Sequence, residues 1–252
     1  MVTRIEPDDR VVVLARTIQA YDAAAAASLE QYAVDWKRFG DACLGRALYR
    51  HDSVFRGSSD AAVWSHLELT YFSKILPADV MRDLVVDARL EGADLLRAEI
   101  LLMTPSSFIL PCCRQEPRDT KWRTSIEYID VRPSHLGEYR DLMRRYFGPA
   151  AAGLVQTDRI GAFQSMETAA VLHHDRRLTV EWNQIHLSEV DTDGFEGFGP
   201  LFAEPLQDMA PDGGLAGLFE GLDRMRTVPR WTLNHAVAVV EGAMTADRNR
   251  SS

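Results

Sequence analysis

The chain is short of cysteine, of long apolar runs and of positive charge, and each shortage removes a class of answer. Three cysteines in 252 residues cannot build a disulfide framework and suit a reducing compartment. Cys43 falls in a helical pattern and reads as a small core residue. Cys112 and Cys113 are adjacent in a loop with no Cys or His at ligand spacing, so the four well-spaced ligands of a zinc site are missing and no metal is expected. No segment approaches the ~20 apolar residues of a membrane span, and Met1 to Arg10 is too acidic and polar for a secretory signal. The expected location is the cytoplasm. The formal net charge is −9, whereas nucleic acid and anionic membranes are bound by clustered Lys and Arg. Arg144-Arg145 and His173 to Arg177 are too short to supply such a cluster, so neither partner is expected. Also missing are a P-loop, a G-x-G-x-x-G after a strand, a G-x-S-x-G elbow and an H-E-x-x-H. Their absence removes nucleotide kinases, Rossmann dehydrogenases, α/β-hydrolases and zincins.

What is present is a repeat. Val63-Trp64-Ser65-His66-Leu67-Glu68-Leu69-Thr70 is matched by Glu181-Trp182-Asn183-Gln184-Ile185-His186-Leu187-Ser188. Each segment alternates and starts near a tryptophan, each follows a helical and a strand-like stretch, and each precedes a second helix and a closing strand. An internal repeat fixes architecture before any single element is judged. In the first half, Arg10 to Ile18 reads as a strand, and Asp22 with the alanine tract starts a helix whose buried face is Leu29, Tyr32, Ala33, Trp36 and Phe39. Strands at Ser53–Arg56 and Val63–Phe72 flank the turn Gly57 to Asp60. A second helix runs from Ala78 to Arg97 behind Pro77, and Glu99–Met103 closes the half. Residues 105–121, broken by Pro105, Pro111 and Pro117, form a connector. In the second half, strands are expected at Trp122–Val131, Ile160–Glu167, Thr179–Val190 and Trp231–Glu241. The first helix starts at Pro133-Ser134 with the apolar face Leu136, Tyr139, Leu142, Met143 and Tyr146. His173 to Arg177 is a charged hairpin turn, and a solvated turn is a better account of its histidines than a metal site. His51 and His135 read as surface residues near helix ends. Gly194–Gly199 is a glycine-rich aromatic loop, and a broken helical region ends near Arg226.

Two β-α-β-β-α-β units, 1–104 and 122–252, resemble ferredoxin-like repeats fused into one chain of the dimeric α/β-barrel superfamily. The segments Ile129-Asp130-Val131-Arg132-Pro133-Ser134 and Glu181 to Leu187 are similar to antibiotic-biosynthesis-monooxygenase-like and stress-responsive A/B barrel domains. The resemblance implies an α+β fold with one intramolecular barrel. It implies chemistry on small, apolar, aromatic or polyketide-like metabolites, by cyclisation, isomerisation or cofactor-independent oxygenation. Haem enzymes share the fold, so haem is the alternative cofactor to none, and a non-catalytic ligand-binding protein is a further alternative. Fold alone does not choose among them. A tandem repeat supplies both halves of a barrel, so a homodimer is allowed but not required.

In such a barrel, side chains alternate between the helices and the interior. With the apolar set Val63, Leu67, Leu69 and Tyr71 placed against the helices, Trp64, His66, Glu68 and Thr70 turn inward. In the second repeat Ile185 and Leu187 pack outward, and Trp182, Gln184, His186 and Ser188 turn inward. His66 is then the expected general base and Glu68 its orienting partner. Trp64 and Trp182 are the expected walls, and Thr70, Gln184, His186 and Asn234 hold the substrate. Asn234 and His235 face opposite ways on the last strand, as do Glu127 and Tyr128 on the fifth, so one of each pair is internal.

Overall fold

The computed structural model describes residues 11–31, 42–57, 64–85, 91–108, 121–193, 195–207, 209 and 214–241. Tyr32, Ala33, Trp36, Phe39, Val63, Cys112, Cys113 and most of the connector lie outside them. Eight strands alternate with helices in the anticipated order. The first repeat comprises β1 (Val12–Ala20), α1 (Ala23–Gln31), β2 (Cys43–Gly57), β3 (His66–Phe72), α2 (Ala78–Val85) and β4 (Ala93–Met103). The second comprises β5 (Trp122–Val131), α3 (Leu136–Leu142), α4 (Gly148–Gln156), β6 (Phe163–His174), β7 (Gln184–Asp191), α5 (Phe198–Gln207), α6 (Gly214–Met225) and β8 (Arg226–Glu241).

All neighbouring strands are antiparallel, and they close into one barrel in the order β1-β3-β2-β8-β5-β7-β6-β4. Each repeat contributes a sheet in the same order, β4-β1-β3-β2 and β8-β5-β7-β6. The two sheets join at two seams, β2–β8 and β4–β6, each of which pairs the second strand of one repeat with the fourth of the other. Closure leaves no free sheet edge. Helices cover the outside, and the inside is a second core shared by both repeats.

That double burial decides how the sequence pattern must be read. All seven residues of β3 are buried, so its alternation separates two buried layers rather than core from solvent. Leu67, Leu69, Tyr71, Ile185 and Leu187 join Trp64, Trp182, Tyr128 and Met166 in the barrel interior. Phe72, Val12, Leu14 and Ala98 meet the helices of the first repeat instead. The expected facing is therefore inverted: the apolar set points inward, and His66, Glu68, Thr70, Gln184 and His186 lie beneath the helices. Apolar side chains from seven of the eight strands fill the middle, which the polar set could not do without leaving many buried groups unpaired.

Several element bounds also differ. Cys43 is not helical; it opens β2 and is buried as a small core residue. Arg97 lies within β4, because the turn at Glu91-Gly92, with Gly92 at φ 77°, has already started the strand at Ala93. His51 sits inside β2. His173 and His174 pair with Ala98 and Arg97 as the end of β6, and the turn begins at Asp175. Phe198 and Gly199 belong to α5 rather than to a loop.

Candidate functional site

The barrel interior is a packed structure. Trp64 and Trp182 do converge, with centroids 5.7 Å apart, and Tyr128 lies 4.9 Å from each. Trp64 Nε1 donates to Tyr128 Oη at 3.1 Å, and Trp182 Nε1 to Glu99 Oε1 at 2.7 Å. Both tryptophans are almost fully buried, at 1% and 2% exposure, so side chains rather than solvent surround the two indoles. Asn234 is also internal and donates to the Thr124 carbonyl and to Thr232 Oγ1.

Beneath the helices of the first repeat the expected pair does not form. Glu68 is clamped by Arg16 from β1 and Arg46 from β2, each at 2.7 Å, and Thr70 Oγ1 lies 3.5 Å away. Arg16 also donates to the Leu84 carbonyl of α2, tying the clamp to its covering helix. Burial would raise the Glu68 pKa, but the two guanidiniums outweigh it and hold it at about 2. A carboxylate so compensated is structural. His66 has different partners: Nδ1 meets Ser65 Oγ at 2.8 Å, and Nε2 meets Glu30 of α1 at 3.3 Å. Ser65 Oγ also accepts from the Ala20 amide. The array joins β1, β3 and α1 as a latch, and burial lowers the His66 pKa despite Glu30.

The second repeat places different chemistry at the corresponding points. His186, four residues beyond Trp182, occupies the position of Glu68, four residues beyond Trp64. Glu127 pairs with His186 as Arg16 pairs with Glu68. Ser165 pairs with His186 as Leu48 pairs with Glu68. The clamp is replaced by four groups from four elements: Glu127 of β5, His186 of β7, Tyr139 of α3 and Arg226 of β8. Arg226 Nη1 donates to Tyr139 Oη at 3.2 Å. His186 Nε2 lies 3.0 Å from Ser165 Oγ and 3.5 Å from Tyr139 Oη. Burial drives the His186 pKa down to about 3, with Arg226 adding to it, so the imidazole is neutral at physiological pH. Burial raises Glu127 against the pull of Arg226 and Arg56, and raises Tyr139 against Arg226. Perturbed groups of opposite tendency in one cluster mark a candidate catalytic site.

Aromatic side chains surround the group. Phe163 makes an edge contact to His186 at 5.9 Å. Trp231 lies directly across from Glu127, and Phe198 of α5 stacks on its indole at 5.1 Å and 14°. Between α3 and α4 the residues Met143–Phe147 form a π-turn in the covering helix, a feature common at functional sites.

Of the residues expected to act, His186 is the one this group includes. His66, Glu68, Thr70 and Asn234 lie elsewhere, and Gln184 is buried one row away on β7. Tyr139 reads in sequence as an apolar helix position, and Arg226 as the end of a helix. Glu127 was visible as one of two facing choices on β5.

No protein-family model matches the chain, and no curated protein matches it in sequence. Among solved structures, an anthrone oxidase-like protein superposes with a TM-score of 0.51 at 10% identity, over 96% of this chain and 97% of its own. A monooxygenase candidate from Fusobacterium nucleatum gives 0.51 at 9% identity, over 92% and 94%. A chlorite dismutase candidate gives 0.48 at 12% identity, over 91% and 95%. At such identities the likeness is one of fold: this chain adopts the dimeric α/β-barrel fold, with both repeats in a single polypeptide.

Proposed function

We propose that the chain is an enzyme performing acid–base chemistry on a small enolisable aromatic molecule, with cofactor-independent oxygenation the favoured reaction. The centre is the Glu127–His186–Tyr139–Arg226 group of the second repeat. The observation that carries this reading is the divergence of the two repeats. At one and the same place, the first holds a fully compensated ion-pair clamp and the second holds titratable groups with shifted pKa values. A stabilising device would repeat the clamp; a reacting site needs the second arrangement. The anthrone oxidase-like neighbour is consistent with the reading as a fold analogy.

Glu127 is the general base, because its raised pKa makes it a stronger base than an ordinary carboxylate. His186, at about 3, is too weak a base for that task, and as a neutral ring it orients Tyr139 instead. Glu127 removes a proton from a carbon next to a carbonyl. The charge moves to the carbonyl oxygen, which Tyr139 Oη–H and Arg226 stabilise. The long 3.5 Å contact from Tyr139 to His186 leaves the phenol free to turn to that oxygen. The carbanion then adds molecular oxygen to give a peroxide, Glu127 returns the proton, and loss of water leaves a new carbonyl. A methylene and one O₂ thus become a ketone and water, with the substrate supplying the electrons.

At the two buried histidines, His66 and His186, a haem reading fits poorly. An axial imidazole must aim a ring nitrogen into an open apolar pocket. Both His66 nitrogens are already engaged, and the His186 Nε2 is enclosed by Ser165 and Tyr139.

The test uses 1,8-dihydroxyanthrone. Deuterium exchange at its methylene, followed by NMR without oxygen, reads proton abstraction alone; oxygen uptake reads the whole reaction. The wild-type chain should accelerate both over buffer, and Glu127→Gln should lower both by at least about 100-fold. No acceleration by the wild type, or an unaffected Glu127→Gln variant, would overturn the assignment.

A further inference from the structure

The indole of Trp231 is shared between the two repeats. Besides Phe198 it meets Phe55 of β2, a first-repeat residue, with centroids 4.4 Å apart at 50°. Phe195 completes the group, 5.7 Å from Phe55 and 5.6 Å from Phe198. Trp231 is buried, yet Phe55 is 41% exposed. Its ring therefore covers the indole while keeping one side in water, an arrangement that exchange with another flat ring would satisfy equally well.

The backbone holds this cover in place. Gly57 has φ 118°, and a Cβ there would lie 2.6 Å from the Pro229 carbonyl oxygen, so the tip of β2 is seated tightly on β8. Arg56 is the pairing partner of Trp231 on one side, and Glu127 is its partner on the other. Gly197, at φ 114°, brings the loop before α5 against both rings: a Cβ there would lie 3.5 Å from Phe55 Cζ and 3.7 Å from Trp231 Cη2. Only about 5 Å separates one strand from the next. A ring seated on Trp231 therefore has the Glu127 carboxyl one strand away. Arg56, the residue after Phe55, acts by its positive charge on that carboxyl.

Resting on the reading of Glu127 above, we propose that Phe55 is the removable cover and specificity-determining residue of the site. A planar aromatic ligand bearing an ionisable oxygen displaces Phe55, stacks on Trp231 and presents its reacting carbon toward Glu127. The first repeat thus supplies the cover for chemistry performed by the second. One ring–ring contact is exchanged for another, so the cover costs the correct ligand little and excludes ligands without a flat ring.

The experiment titrates 1,8-dihydroxyanthraquinone, which has no methylene to react, into the full chain and follows tryptophan fluorescence. Wild type should show saturable quenching, and Trp231→Phe should lose the largest part of it. Phe55→Ala should bind more tightly by about two- to tenfold, the size of one ring contact. Phe55→Leu should fall between wild type and Phe55→Ala. Unchanged affinity in both Phe55 variants, or full quenching in Trp231→Phe, would overturn the proposal. Glu127→Gln separates the two claims. If it binds the anthraquinone like wild type and Phe55→Ala tightens binding, the cover stands even where the anthrone assay shows no turnover. If turnover depends on Glu127 and Phe55 does not affect affinity, the cover alone falls.

Discussion

Glu68 and Glu127 are both buried carboxylates, and their neighbours drive them in opposite directions. Two guanidiniums at 2.7 Å hold Glu68 ionised; Glu127 faces a neutral imidazole across the ladder and is pushed toward its protonated form. The buried groups also set how stability depends on pH. His186 has a folded pKa of about 3 against an ordinary 6.5, so the unfolded chain takes up its proton first as the pH falls. The stability due to a neutral His186 is fully present above 6.5 and declines as pH drops toward 3. Glu68, at about 2 against 4.5, adds a further loss that begins only below 4.5. Between pH 7.5 and 5.0, His186 therefore accounts for about 2 kcal/mol of destabilisation. Urea unfolding of His186→Gln at these two pH values should show a loss smaller than that of wild type by this amount. Equal losses would mean that His186 is not held neutral. The sequence showed that His66, Glu68, Gln184 and His186 share the period of their strands. It could not show which way they point, because both faces of those strands are buried. Arg16 and Arg46 were the missing clue, since two arginines in apolar strands require a carboxylate on the same face.

At the scale of elements, boundaries carried by turn chemistry were legible and those carried by packing were not. Trp122–Val131 begins and ends as expected because the connector precedes it and Pro133 follows. Arg97, by contrast, fits a helical pattern equally well, and only its barrel neighbours make it strand. The covering helix of the second repeat is the element most closely tied to the site, since its first turns carry Tyr139 and its π-turn is followed by Gly148. A Cβ at Gly148 would meet Ser106 Oγ at 2.6 Å and the Met143 carbonyl oxygen at 3.0 Å. At Gly153, farther along α4, nothing lies within 4 Å. Gly153→Ala should therefore stabilise the chain by up to about 1 kcal/mol through helix propensity, while Gly148→Ala should destabilise it by about 1–3 kcal/mol through overpacking. Thermal melts of the two variants should move in opposite directions. A rise in both would mean that the contact of α4 with Ser106 yields readily, and the helix would not be the rigid mount that Tyr139 needs.

For the molecule as a whole, the repeat was readable because it recurs in order and spacing, whereas the seams were not, because they join strands distant in sequence. The seams are held by more than ladder hydrogen bonds. Arg97 of the first repeat lies 4.3 Å over the Trp182 ring of the second, and Arg230 of the second lies 4.6 Å over the Trp64 ring of the first. Arg97 and Arg230 occupy equivalent positions, since Thr17 pairs with Arg97 as Tyr128 pairs with Arg230. Each repeat thus places a guanidinium on the partner repeat's indole, and Arg97 also donates to the Trp182 carbonyl at 2.9 Å. A single repeat would expose two strand edges, β6 and β8, together with the apolar interior face of its sheet. The pairing rule that joins β2 to β8 and β4 to β6 would let two copies of the second repeat join β6 to β8 reciprocally. Residues 122–252 expressed alone should therefore run as a dimer in size-exclusion chromatography with light scattering, or fail to remain soluble, and should not persist as a folded monomer. A stable monomeric repeat with native circular dichroism would show that the shared core is dispensable. The seams would then be contacts between two finished domains rather than the closure on which both depend.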